Sequence, residues 1–158
     1  DEKQPPVLAS VAASKPKPAA TAPTQHKTVD PSVPLVTANE ESLVTPYTYL
    51  AMTQVQGCNL DNYGNGTRST FDFGFPGLAC RHCAGSENPR RFFYRTSEIL
   101  SGNYSHIPNH LLACPGVPAE MKKQLRELKQ DHMKTKHALN RGAQKLFFQT
   151  IWDRLHGK

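Results

Sequence analysis

Residues 77–85 read GLACRHCAG, which places Cys80 and Cys83 two residues apart. Such a pair serves a metal clip, a redox couple or half of a disulfide framework. The local string does not choose among these, and the choice fixes the fold. Further along, residues 110–114 read HLLAC, which places His110 four residues before Cys114. On a helix, residues i and i+4 lie one above the other, so both side chains leave on the same side. The complete pattern is C-x2-C, a spacer, then H-x3-C. Two thiolates from a turn, with an imidazole and a third thiolate from one helical turn, make a closed tetrahedral set. Soft sulfur with borderline nitrogen suits Zn²⁺. Four protein ligands leave no open position for water, so the expected site is structural rather than catalytic.

The rival readings fit less well. Thioredoxin-like chemistry wants its C-x-x-C next to a βαβ unit, and here a loop precedes the pair and a basic aromatic strand follows it. A secreted two-disulfide domain would use Cys58 as well. The sequons at Asn65 and Asn103 are compatible with that, but four Cys in 158 residues is not a Cys-dense scaffold. Among the metal ligands, His106 competes with His110, being one turn earlier. Pro108 favours His110, because only the later pair lies within regular helix. Cys58 is expected as a small core residue, and His82 is expected to point away from the metal.

The surrounding segments give an α+β expectation: a small zinc-finger domain of short strands plus helix, a long C-terminal amphipathic helix and a disordered N-terminal tail. Residues 1–45 include SKPKPAATAPT and show no period of 2 or 3.6, so the tail is read as burying nothing. The zinc-finger domain is assigned to 46–117. Within it, 47–58 is read as a short helix, 59–69 as a loop turning at Asn65-Gly66, and 71–77 as a glycine-assisted tight turn leading into the Cys pair. RRFFYRT (90–96) is read as a strand, Thr96 or Ser97 as the cap of a short helix, and 105–114 as a second helix with Pro108 in its first turn. From 118 onward, apolar residues recur at spacings of 3 and 4, and Gly142 is a candidate break.

Charge separates along the chain. Residues 1–45 carry four Lys against five acids, residues 46–118 five Arg against four acids, and residues 119–158 ten Lys or Arg against four acids. The net charge of +6 thus resides in the last quarter, which suits an acidic partner such as nucleic acid. Arg81, Arg90, Arg91 and Arg95 near the Cys pair, with Lys122, Lys123 and Arg126 on the C-terminal helix, are the candidate phosphate contacts. The bland alternative is that the arginines pack over rings and the lysines solvate a helix. A second function class is a protein-interaction module docking through Phe147, Phe148, Ile151, Trp152 and Leu155, unless that face supplies the chain's own core. No phosphate loop, nucleophile with base or open metal position is legible, so no enzyme is expected. No apolar run has the length of a membrane span.

The pattern resembles BED-type zinc fingers and their relatives: C-x2-C, a basic aromatic strand, a helix bearing H-x3-C. The longer string GFPGLACRHC, RRFFYRT, HLLACPGVP and RGAQKLFFQTIWDRLH is similar to a large family of zinc-finger proteins predicted in certain unicellular algae, over about residues 47–156. The resemblance implies Cys80, Cys83, His110 and Cys114 as metal positions; DNA as partner and a nuclear, reducing location are expected alongside it. Two departures from the BED pattern stand out: the last ligand is Cys rather than His, and Phe71, Phe73 and Phe75 replace the upstream Trp-type aromatic.

Overall fold

A computed structural model describes residues 26–61 and 71–158. The Asn65-Gly66 turn and residues 1–25 of the expected tail lie outside the described residues. The fold is α+β. Its helices and strands, in chain order, are α1 (Pro46–Thr53), β1 (Val55–Asn59), β2 (Pro76–Cys80), β3 (Arg91–Phe92), α2 (Ser97–Asn103), α3 (His106–Ala113), α4 (Ala119–Ala138) and α5 (Ala143–His156), with a 3-10 turn at Ala38–Leu43 ahead of them.

Local chemistry sets several boundaries. The Thr45 hydroxyl accepts from the Thr48 N–H at 3.1 Å and Pro46 follows at the first helical position, so α1 begins there. Thr96 caps α2 in the same way, accepting from Ile99 N–H at 3.1 Å. The expected single C-terminal helix is two. Leu139 leaves helical geometry, and Gly142 sits at φ 84°, a left-handed conformation that a side chain disfavours.

The sheet is antiparallel with order β1-β2-β3. Val55 faces Cys80 and Asn59 faces Pro76 across the first pair, and Leu78 faces Phe92 across the second. Residues 76–80, the later part of the expected glycine-assisted turn and its run into Cys80, are therefore the central strand, buried at every position. Gly77 has a packing reason: a Cβ there would lie 2.5 Å from the Phe93 ring. Helices α1, α3 and α4 pack together, while α5 packs on α2, on β2 and on the 3-10 turn. One apolar cluster runs through all of it, from Leu35 and Met52 to Leu111, Phe147 and Ile151.

Three further expectations need correction. The helix read over 47–58 stops at Thr53, and Val55–Asn59 pair with β2 as β1. The tail does not run to residue 45: within 26–45, Leu35 and Val44 are buried, and Arg154 bridges to it by donating to the Leu35 carbonyl at 2.6 Å and pairing with Glu40. Asn59 pins the same segment, donating to Lys27 O at 2.9 Å and accepting from Val29 N–H at 2.8 Å. The segment orders because β1 and α5 offer a ready apolar and polar surface, which its own composition does not reveal. The C-terminal face is not free for docking either. Phe147, Phe148 and Ile151 are wholly buried, Leu155 nearly so and Trp152 partly, all within the chain's own core. The division at 117/118 accordingly separates no independent core.

Candidate metal centre

Cys80 ends β2, where the chain turns sharply through residues 81–86 and presents Cys83 beside it. The turn is closed by Ser86 N–H to Cys83 O at 3.0 Å, and Ser86 Oγ donates to the same carbonyl at 2.7 Å. Helix α3 supplies the other half. His110 lies in its last turn, and Cys114 caps it, with the Cys114 N–H donating to the His110 carbonyl at 2.8 Å. The loop after α3 then closes against the Cys turn. A Cβ on Gly116 would fall 2.3 Å from the His82 carbonyl oxygen, so only glycine permits that approach.

The donor atoms of Cys80, Cys83, His110 and Cys114 all lie within 4.8 Å of one another, a group that can hold a metal ion. The Cys83 Sγ to His110 Nε2 separation is 3.5 Å. A tetrahedral ion with bonds of about 2.3 Å to sulfur and about 2.0 Å to nitrogen demands an S···N edge of about 3.5 Å. His110 therefore presents Nε2, in line with its expected role. His106 is exposed and stands outside the group, lining instead a surface cleft with Phe71, Phe93 and Tyr94. His82 turns away as expected, its Nε2 2.7 Å from Gln54 Oε1. Cys58 is a half-buried β1 residue opposite Gly77, and all four cysteines are free of disulfides.

The electrostatics fit a cation. Cys80 and Cys114 are buried, Cys83 and His110 half-buried. Burial above all, and then the neighbouring Cys83 sulfur, push the Cys80 thiol up to about 12 in the absence of a counter-charge. A divalent ion reverses that balance, since coordinated thiols are deprotonated outright. The backbone is arranged for thiolates: the His82 and Cys83 N–H groups donate to Cys80, and Arg90 N–H reaches Cys83 Sγ at 3.4 Å. Burial, then the Arg90 charge, lower the His110 pKa and favour the neutral imidazole that a metal requires. Four protein donors fill a tetrahedral sphere, so the site can fasten β2 and its turn to α3.

The arginines proposed as phosphate contacts have partners within the chain. Arg91 forms a two-point pair with Asp61, at 2.5 and 3.3 Å. Arg81 Nε donates to Val55 O at 3.1 Å. Arg90 lies over the Phe92 ring at 5.1 Å and Arg95 over Phe71 at 5.4 Å, which is the ring-packing alternative. Lys123 and Arg126 are exposed on α4, and Lys122 is half-exposed. Sequence reading missed Asp61 and Glu40 as the partners of Arg91 and Arg154, because pairs 30 and 114 residues apart leave no local signal. No family model, curated protein or solved structure matches the chain. Among the described residues no helix is long and apolar enough to cross a membrane.

Proposed function

We propose that this chain is a zinc-stabilised, non-catalytic module that binds nucleic acid through α4. The three-sulfur, one-nitrogen donor set favours Zn²⁺ over harder cations, which prefer oxygen. Its closed sphere supports a structural task, and the BED resemblance points the same way.

The observation that carries the binding reading is a cationic flank on α4. Its packed side comprises Leu125, with Met121, Leu128 and His132 half-buried. At 3.6 residues per turn, Lys122, Arg126, Lys129 and Lys136 fall within an arc of about 80° beside that packed side. Glu120, Glu127 and Asp131 fall within an arc of about 40° on the far side. That far side mixes its signs as a solvated face does, with Lys123 four residues before Glu127 and Lys134 three after Asp131. The other flank is cationic over about 21 Å, long enough to meet several phosphates of a duplex.

Metal analysis of the purified chain is expected to return one zinc per molecule. Fluorescence anisotropy with a labelled duplex, over a salt series, is expected to show affinity falling steeply as salt rises. The paired change Lys122→Glu with Arg126→Glu weakens binding to all sequences alike and flattens the slope, because phosphate contacts carry no base information. Absence of binding to duplex and single strand at low salt removes the nucleic-acid reading and leaves the zinc reading intact.

A further inference from the structure

A cleft of about 540 Å³ opens between the end of α2, the second half of α4 and the start of α5. Its lining includes Glu98, Tyr104, Ser105, His132, Lys136, Gln144 and Lys145. An adjoining cleft of about 330 Å³ shares Lys136 and Lys145 and adds Arg141, with no acid in its lining. The metal centre uses none of these residues.

One wall of the larger cleft is a buried polar chain. His132 Nδ1 is 2.8 Å from the Thr45 hydroxyl, Thr45 is 3.1 Å from the Thr48 hydroxyl, and Thr48 is 2.8 Å from the Tyr104 hydroxyl. Thr45 and Thr48 are buried, and both ends of the chain, His132 and Tyr104, reach the cleft. Burying such groups is unfavourable unless they are paired. Thr45 donates to Thr48, so His132 Nδ1 donates to Thr45, which fixes the half-buried ring and leaves Nε2 as an acceptor. The single acid in the lining, Glu98, is held chiefly by the start of α2, where its own N–H and Thr96 hydrogen-bond to it, and it also feels the Lys145 charge. The start of α5 brings no acid and no side-chain cap of its own.

We propose that this cleft is a phosphate-binding site, with Lys136 and Lys145 supplying charge, Ser105 and Gln144 supplying directional hydrogen bonds, and the His132 ring lying in the lining as a reporter of occupancy. Lys136 belongs to both the cleft and the cationic flank of α4, so a nucleic-acid strand tracking that flank delivers a backbone phosphate to it. The cleft itself stands without the nucleic-acid reading; only the source of the phosphate rests on it.

The test follows the His132 ring resonances of the zinc-loaded full chain by NMR. Inorganic phosphate is titrated against chloride at matched ionic strength, and a short DNA duplex is titrated in parallel. The same titrations are run on the double variant Lys136→Ala, Lys145→Ala, with metal content as the check on folding. Both lysines are exposed, so the variant is expected to keep its metal. Saturable shifts with phosphate in the wild type that disappear in the variant support the site. Shifts with duplex as well, together with a salt slope flattened by about 2 in the variant, identify the backbone as the source. Shifts with phosphate but no duplex binding keep the site, assign it to a free phosphate and overturn the nucleic-acid reading alone. If His132 responds to neither titrant, or the variant responds as the wild type does, the proposal is overturned even where duplex binds to α4.

Discussion

The Cys turn with α3 and the face of α5 lie in one continuous core, yet different forces hold them. At the metal centre, four donor atoms from two segments converge. The elements there are short: β3 has two residues and α3 eight. Around α5, attachment is apolar and distributed. Phe147 and Phe148 meet edge to face at 5.2 Å, Phe148 packs on Tyr104 at 4.8 Å, and Ile151 and Leu155 complete the face. Small elements with little area to bury need a point fastener, whereas a long helix with an apolar stripe does not. With an ion in its centre, one region gains a point fastening beside its apolar contacts, whereas the other rests on the sum of such contacts alone.

The largest effect is expected at the fastener. Cys83→Ser removes one ligand of four, and structural zinc contributes about 10 kcal/mol or more to comparable small sites. Amide exchange is expected to lose protection at Arg90 and Cys114, whose N–H groups bond within the centre, and metal content is expected to fall. Unchanged protection with metal lost would show that packing alone holds this region too, and the contrast would fail. Next is the distributed side. Phe147→Ala, at a wholly buried position, is expected to cost about 3–5 kcal/mol in denaturant unfolding. The zinc stoichiometry should survive in the folded fraction. Loss of zinc at temperatures where the variant remains folded would show the two regions to be a single unit.

Smaller effects sharpen the contrast. Leu35→Ala is expected to cost about 2–5 kcal/mol, since the residue is buried against the α5 side; a neutral result returns residues 26–45 to the status of a tail. Gly116→Ala sets a methyl against the His82 carbonyl and is expected to weaken metal retention under chelator more than it lowers thermal stability. An equal loss of both would argue that the loop serves packing only. The smallest effect concerns acid. Burial would raise the Glu40 pKa, but hydrogen bonds from Arg154 and Thr37 outweigh it and hold the carboxyl below its ordinary 4.5. The folded value being depressed, this contribution is complete above pH 4.5 and is lost as pH falls through the lower folded value. Glu40→Gln should therefore lower the melting temperature near neutrality and narrow its gap from the wild type in acid, as read by thermal melts from pH 7 to 3.

The same contrast explains what the sequence disclosed. The ligands were legible because each half of the centre is local: two residues separate Cys80 from Cys83, and one helical turn links His110 to Cys114. Helices α2 and α3, each with a local cap or stop, were legible for the same reason, whereas the helix read over 47–58 ends at Thr53 and Val55–Asn59 form β1, because its apolar residues fit alternation nearly as well as a helical period. The apolar face of α5 was visible, but not what covers it, because periodicity records a buried face without naming its partner. The attachment of residues 26–45 was hidden altogether. Leu35 and Val44 are isolated apolar residues in a Pro-rich setting, with no period, and the anchors Asn59 and Arg154 lie far along the chain. The arginine readings went the same way: a cluster of like charges in sequence gave no hint of Asp61 or of the rings beneath.

The bridge from Arg154 to Leu35 and Glu40 spans more than a hundred residues, and it has a consequence for how the chain comes into being. A ribosome releases the first segment long before α5 exists, so Leu35 and Val44 must wait with their burial surface unmade. The cysteine turn and α3 emerge earlier and can capture a metal ion while the rest is still being synthesised. Such non-local closure is slow compared with local pairing. The metal would then act first in time, holding a partial scaffold open to the last helix, whose arrival closes the core and draws in the segment that was made first.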